Sequence, residues 1–196
     1  MTISGTWTIQ FAGCSVTIAW RGDAAPAILG FLFGTPNGTG TEAVSEPFQF
    51  IADTGQQRFE IFQGARSIYA DASAGTTAGV LLDKVVTTLA GACLKGPVFH
   101  AGALVTSSGA GLLLPGKSGS GKSTLAATLT QNGWHYITDE LVCVAAGRDT
   151  IQGFKRPIHL KHPADGFFAH LCPGIKGAIN PAQDGCMKSA QGLLVD

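Results

Sequence analysis

The sequence predicts an α/β protein in which an antiparallel hairpin leads into a glycine-rich loop, preceded by a small β-rich lobe. Short apolar runs that alternate like strands occupy the first part of the chain, and a helical repeat of apolar residues begins near residue 78. Further along, the pattern Gly116-x-x-x-x-Gly121-Lys122-Ser123 separates an apolar run from a predicted helix. We therefore expect a β-rich lobe over residues 1–72 and a second domain over residues 73–196.

The composition limits the partners of the chain. Of its 196 residues, 45% are hydrophobic and 13% are charged, which is enough apolar material for a buried core. The 13 basic and 13 acidic residues give a formal net charge of zero, so the chain as a whole is not attracted to nucleic acid or to anionic membranes. No uncharged apolar run reaches the roughly 18 residues of a membrane span. We expect neither nucleic acid nor a membrane as a partner.

The cysteines and the start of the chain indicate a cellular compartment. No two cysteines have CxxC spacing, and their number is odd. The chain starts without the basic and apolar regions of a secretory signal. We expect thiols in a reducing, cytoplasmic environment rather than disulfides or a zinc site. The five cysteines are Cys14, Cys93, Cys143, Cys172 and Cys186.

The lobe is predicted from short β-like runs. Residues 5–20 alternate in the manner of two strands with a turn near Gly13. Residues 48–52 and 58–63 predict a second pair of strands. Between the two pairs, residues 26–33 are uniformly apolar and fit either a helix or a buried strand.

The second domain is predicted to start where the spacing of apolar residues changes from strand-like to helical. Apolar residues spaced four apart predict a helix over residues 78–94, which ends at Gly96-Pro97. Residues 97–105 and 112–116, joined by a short polar turn, predict an antiparallel hairpin. A helix is predicted over residues 123–132, and residues 134–146 read as one strand with an acidic pair in its middle. Residues 151–161 are expected to be extended, and in the tail over residues 163–196 the only predicted element is a short helix over residues 164–171.

The glycine pattern predicts a phosphate-binding loop. Glycines allow a tight bend that directs several backbone N–H groups into one concavity, and the helix that follows adds the positive end of its dipole. Lys122 can reach the β- and γ-phosphates of a nucleoside triphosphate, and the Ser123 hydroxyl can bind Mg²⁺. The predicted nucleotide-binding residues are Gly116, Lys117, Ser118, Gly119, Ser120, Gly121, Lys122, Ser123 and Thr124.

Two further elements predict a reactive site beside this loop. Asp139 can bring a carboxylate to the Mg²⁺, with Glu140 next to it. Since only one helix separates Lys122 from Asp139, we expect the acidic strand to lie directly against the strand that precedes the loop. His100 stands near the start of the hairpin, where the antiparallel partner strand ends in the glycine loop, so we expect this histidine beside the phosphates.

Together these residues resemble the C-terminal catalytic domain of HPr kinase/phosphorylase, and above all its relatives in peptide-modification pathways such as lasso-peptide clusters. The matching segments are "FHAGALV", "GLLLPGKSGSGKSTLA" and "GWHYITDELVCV", about a quarter of the chain. The resemblance implies a core of the HPr kinase/PEP carboxykinase type, with a phosphate-binding loop and a mixed sheet. It also implies an ATP-dependent, Mg²⁺-requiring serine kinase, and it leaves a homo-oligomer open.

The resemblance implies roles for individual residues. His100, Lys122, Asp139 and Glu140 would be catalytic, and Ser123 and Asp139 would bind the metal. One of the two acidic residues would act as base for the acceptor hydroxyl, although the family has two aspartates there. A glutamate-containing signature of the bifunctional enzymes is absent, so the resemblance does not extend to phosphorylase activity. Lys155 or Arg156 could stand in for a late arginine of the family, and the chain ends where the family has further helix.

Several functions therefore remain open from the sequence. One is a kinase acting on a serine or threonine hydroxyl of a peptide or small protein. Another is a nucleotide-binding regulatory module without turnover, and a third is a small-molecule kinase. Arg156 and Lys161 fit either a solvated edge strand or a contact to nucleotide or acceptor. The remaining histidines, His135, His159, His162 and His170, are expected to be surface or core residues.

Overall fold

A computed structural model describes residues 3–36, 43–148, 150–160 and 188–189. It shows a mixed α/β protein with two five-stranded sheets, a two-stranded ladder and three helices. The chain divides into two compact units, and the boundary falls between Ala92 and Cys93. The predicted helix over residues 164–171, together with Lys161, His162 and His170, lies outside the described residues.

The first unit is a five-stranded sheet with two helices. Its strands are β1 (Ser4–Phe11), β2 (Cys14–Arg21), β3 (Phe48–Asp53), β4 (Arg58–Gln63) and β5 (Arg66–Asp71), and its helices are α1 (Ala25–Phe33) and α2 (Ala74–Ala92). The strands lie in sequence order, and every pairing is antiparallel except the parallel pair β2–β3. Both predicted strand pairs are confirmed, and β5 is an additional strand that the alternation did not predict.

Helix α1 resolves the alternative that the sequence left open for residues 26–33. Pro26 lies in its first turn, where a missing N–H is harmless, and Gly34 ends it with a φ of 72°. Six of its nine residues are buried, which explains why the segment is apolar all round.

Helix α2 belongs to the first unit and not to the second. The apolar face predicted from the four-residue spacing is buried at Leu81, Val85 and Leu89. This face packs on β2, β4 and β5 of the first sheet. The predicted boundary at residue 72 therefore differs from the structural one at Ala92, because the helix covers the sheet that precedes it.

The described part of the second unit contains one helix and the remaining strands. These are β6 (Val98–Val105), β7 (Gly111–Pro115), α3 (Lys122–Gln131), β8 (His135–Thr138), β9 (Leu141–Val144), β10 (Ile151–Gly153), β11 (His159–Leu160) and β12 (Lys188–Ser189). The predicted hairpin is confirmed as β6 and β7, with Ala101 opposite Pro115 and Val105 opposite Gly111. Within the described part of the chain, no helix is both long enough and apolar enough to span a membrane.

Strand β6 is the centre of the second sheet. One of its edges pairs with β7, and the other pairs first with β9 and then with β8, all antiparallel. The expectation that the acidic strand lies directly against the strand before the loop is therefore wrong, because β6 separates the two. The expectation of a mixed sheet in this domain also differs from the structure, since the described pairings of the second sheet are all antiparallel and the parallel pair lies in the first.

Helix α3 explains this arrangement. Strands β7 and β8 are both antiparallel to β6 and so run in the same direction, and α3 crosses over between them. Its small residues Ala126 and Ala127 are fully buried against Leu104 of β6 and Tyr136 of β8. The chain therefore enters α3 beside one edge of β6 and leaves it beside the other.

Candidate functional site

The glycine-rich loop connects β7 to α3 and has the backbone that its glycines permit. Gly119 and Gly121 have φ values of 81° and 88°, which are left-handed conformations that favour glycine. At Gly116 a β-carbon would lie 2.6 Å from Ser120 Oγ, so a larger residue there would require the Ser120 side chain to move. The predicted residues from Gly116 to Gly121 thus form one tight bend that ends at the first turn of α3.

Lys122 is the first residue of α3, and its side chain folds back onto the loop. Its Nζ donates hydrogen bonds to the carbonyl oxygens of Gly116 at 2.7 Å and Lys117 at 3.1 Å. No side chain caps the helix at Gly121, and its first turn contains no acidic residue. The first backbone N–H groups of α3 and one ammonium group therefore meet at the loop, an arrangement that favours a bound anion.

Asp139 is held by two hydroxyl groups. Ser123 Oγ, in the first turn of α3, donates to Asp139 Oδ2 at 2.8 Å, and Tyr136 Oη donates to Asp139 Oδ1 at 2.8 Å. Asp139 and Tyr136 are buried, with 9% and 5% of their surface exposed. Ser123 and Asp139, the two predicted metal ligands, are thus in direct contact, and Tyr136 is a member of the site that the sequence analysis missed.

Tyr136 should remain protonated in the folded protein. Burial, followed by the nearby charge of Asp139, raises its pKa well above the usual 10.0. Since the folded pKa exceeds the unfolded one, the free energy of unfolding should be unaffected by this group below pH 10 and fall as the pH rises above it. The chain has two tyrosines, so ultraviolet titration of phenolate absorbance can follow each one.

The alkaline titration should show the Tyr136 step only together with unfolding, whereas the less buried Tyr69 ionises first in the folded protein. The pKa of Tyr69 is also raised, by desolvation and then by its hydrogen bond to Asp71. The variant Tyr136→Phe therefore serves to assign each titration step to one tyrosine. This variant should lose the late step and keep the early one. Reversible ionisation of both tyrosines in the folded protein would contradict the burial of Tyr136.

The Glu140 side chain contacts two basic side chains rather than the Ser123–Asp139 pair. Its Oε1 lies 3.3 Å from His100 Nδ1, and its Oε2 accepts a hydrogen bond from the Arg156 guanidinium. Arg156 is only 4% exposed, so the interpretation of this residue as part of a solvated edge is wrong. The sequence left Arg156 open between a solvated edge and a contact to nucleotide or acceptor, because its partner lies 16 residues away in the chain.

The strand register explains how His100 reaches the site. Ala101 pairs with Pro115 across the hairpin, so position 100 is level with Gly116, the first residue of the glycine-rich loop. On the other edge of β6, His100 pairs with Leu141, which directly follows the acidic residues. The histidine is half exposed, with 51% of its side chain accessible. His100, the first glycine of the loop and the acidic residues thus lie at the same end of β6.

The acidic pair lies in a break between two strands rather than in the middle of one. Strand β8 ends at Thr138 and β9 begins at Leu141, and the ladder along β6 shifts register between Ala103 and Leu104. The Glu140 carbonyl still accepts a hydrogen bond from the Ala101 N–H. Because the break frees two consecutive residues from the regular alternation, one carboxylate can turn toward Ser123 and the other toward His100.

The oxygen pair of Ser123 and Asp139 fits a magnesium ion. Mg²⁺ prefers oxygen ligands at about 2.0–2.1 Å in an octahedron, whose adjacent ligands are then about 2.9 Å apart. The two oxygens are 2.8 Å apart. No group of three or more histidine, cysteine, aspartate or glutamate side chains that could hold a metal ion occurs among the described residues. A pair of hard oxygens suits Mg²⁺, which keeps waters and phosphate oxygens as its other ligands.

Other predicted residues occupy the loop and the start of the helix. Ser118 lies in the bend, the Ser120 N–H donates to the Lys117 carbonyl at 3.2 Å, and Thr124 follows in the first turn of α3. The described polar contacts of Lys122 go to the loop, and that of His100 goes to Glu140.

In comparisons with known proteins, no family model, no curated protein and no solved structure matches the chain.

Proposed function

We propose that the chain is an ATP-dependent, Mg²⁺-requiring kinase that transfers the γ-phosphate to a serine or threonine hydroxyl of a peptide or small protein. In this proposal the second unit is a phosphate-binding-loop core of the HPr kinase type. The observation that carries it is the direct contact of Ser123 Oγ with Asp139 Oδ2 at 2.8 Å, immediately after the glycine-rich loop. A loop that only bent the chain would not require a carboxylate from another strand at the start of its helix.

The loop side of the site would hold the triphosphate. Backbone N–H groups at the start of α3 and the Lys122 ammonium would bind the phosphate oxygens and offset the charge that develops during transfer. Lys122 lies within hydrogen-bonding distance of the loop carbonyls, so a small movement of its flexible side chain would bring the ammonium to a bound phosphate. When bound, Mg²⁺ would neutralise phosphate charge beside Ser123 and Asp139.

The other side of the site would accept the hydroxyl. His100 is half exposed and contacts Glu140 through Nδ1, which leaves its second ring nitrogen available to the acceptor. The acceptor oxygen forms a bond to the γ-phosphorus while the bond from that phosphorus to the β,γ-bridging oxygen breaks, and the hydroxyl proton passes to His100 Nε2. Glu140, oriented by Arg156, would stabilise the protonated ring. The two acidic residues thus have different roles, Asp139 toward the metal and Glu140 toward the acceptor.

Incubation with γ-labelled ATP and Mg²⁺ tests this function. Label should pass to a serine-containing peptide or a candidate protein acceptor, and the double variant Asp139→Ala/Glu140→Ala should lose the transfer. The matched control replaces two exposed acidic residues of the first unit by alanine, Glu46 and Asp83, and should transfer at the rate of the unaltered protein.

Two other outcomes would replace the proposal. ATP binding without transfer to any acceptor would indicate a nucleotide-binding regulatory module. In such a module, the contact of Glu140 with Arg156 would be structural. Transfer to a metabolite hydroxyl but to no peptide would indicate a small-molecule kinase. Lack of ATP binding by the folded protein would contradict the site itself.

A further inference from the structure

Two thiols of the second unit lie in contact, away from the site described above. The Cys93 thiol donates to Cys143 Sγ at 3.5 Å, and each Sγ lies 4.0 Å from the Gly96 carbonyl oxygen. A disulfide needs a sulfur–sulfur distance of about 2.05 Å. The remaining gap between the two sulfur atoms is about 1.5 Å, so a small movement would bring them to bonding distance.

The surroundings give an oxidant access to this pair. Cys143 is 1% exposed and Cys93 is partly exposed, so Cys93 is the thiol that a reagent meets first. Cys143 lines a surface cavity of about 530 Å³, and the basic residues Lys95 and Arg148 line the same cavity. Basic side chains around an opening attract anionic reagents, and a tripeptide disulfide with several carboxylates is one of them.

We propose that Cys93 and Cys143 form a reversible disulfide by exchange with a low-molecular-weight disulfide such as oxidised glutathione. The Cys93 thiolate attacks one sulfur of the reagent, which forms a mixed disulfide and releases one glutathione thiolate. Cys143 then attacks the Cys93 sulfur, which forms the internal bond and releases the second glutathione. Two protein sulfurs are oxidised and two glutathione sulfurs are reduced, so electrons balance, and the protons of the two protein thiols end on the two glutathione thiols.

The internal bond has a consequence that can be measured. Cys93 and Cys143 enclose the chain from the end of α2 to β9, which includes β6, the glycine-rich loop, α3 and β8. A cross-link around a loop of this length reduces the freedom of the unfolded chain. Oxidation should therefore raise the melting temperature of the second unit by about 5 °C or more.

The experiment treats the full chain with oxidised glutathione and then alkylates the remaining thiols. Mass spectrometry should show two fewer alkylated cysteines of the five in the chain and a peptide cross-linked between Cys93 and Cys143. Reduction should restore all five thiols and the original melting temperature. The variant Cys143→Ser should stop at the mixed disulfide on Cys93, which distinguishes exchange from direct air oxidation.

The control variant is Cys14→Ser, which should oxidise like the unaltered protein. Where Cys143→Ser proves unstable, because this residue is buried, Cys93→Ser serves instead and should leave no cross-link at all. Five alkylated cysteines after treatment of the folded protein would overturn the proposal. A cross-link between any other two cysteines, or one that forms only after denaturation, would overturn it equally.

Discussion

Replacing Lys122 by alanine is expected to lower the rate of phosphoryl transfer by about 100- to 1,000-fold, equivalent to about 3–4 kcal/mol in the barrier. The reason is that, among the described residues, the Lys122 ammonium is the charged donor that contacts the carbonyls of the loop, at Gly116 and Lys117. Its removal leaves the developing phosphate charge to backbone N–H groups alone. The measurement is the initial rate of label transfer from γ-labelled ATP at saturating Mg²⁺.

The comparison for this variant is Lys84→Ala, which removes an exposed lysine of α2 in the first unit and should leave the rate unchanged. Both variants should melt at the temperature of the unaltered protein, since Lys122 is bonded only to loop carbonyls among its described contacts. A Lys122→Ala protein that transfers phosphate at an undiminished rate would show that the glycine-rich loop does not hold the reacting phosphate.

Replacing Arg156 by alanine is expected to lower the free energy of unfolding of the second unit by about 3–5 kcal/mol. Arg156 is buried and donates to Glu140, whose side chain is only 16% exposed, so the variant leaves a carboxylate with little solvent and one partner fewer. The measurement is the urea dependence of hydrogen exchange in peptides from β6 and β8, since these report on the second unit by itself.

The neighbouring Lys155 provides the matched control for this prediction. Lys155 is exposed, and its replacement by alanine should change the free energy of unfolding by about 0.5 kcal/mol or less. The double variant Arg156→Ala/Glu140→Gln should recover much of the loss, because the uncompensated charge is gone. If the double variant were as unstable as Arg156→Ala alone, the cost would come from lost packing of the long side chain.

The parts of the fold that could be predicted are those with a local pattern. The four-residue spacing of Leu81, Val85 and Leu89 predicts α2, because a helix places these residues on one face. The hairpin β6–β7 follows from two apolar runs around a short polar turn, and the glycine spacing predicts the loop before α3. In each case the pattern and the structure involve residues close together in the chain.

The parts that could not be predicted depend on contacts between distant residues. Nothing in the local sequence of β8 distinguishes pairing with β7 from pairing with the edge of β6 opposite β7. The position of β8 depends on contacts such as the packing of Ala126 and Ala127 against the sheet. The break at Asp139 was hidden because apolar residues on both sides read as one strand. Arg156 looked like a surface residue because lysine and arginine are usually exposed, and only its partner Glu140 explains its burial.

The hairpin of β6 and β7 has two ends with opposite tolerance to change. One end carries His100 and the first glycine of the loop, while the other closes through the solvent-facing turn of residues 106–110, where Gly109 has a φ of 88°. New chain ends, an affinity handle or a fluorescent reporter could be spliced into that far turn with little disturbance to the candidate site. The hairpin thus offers an attachment point for surface immobilisation that keeps the reactive end turned toward the solution.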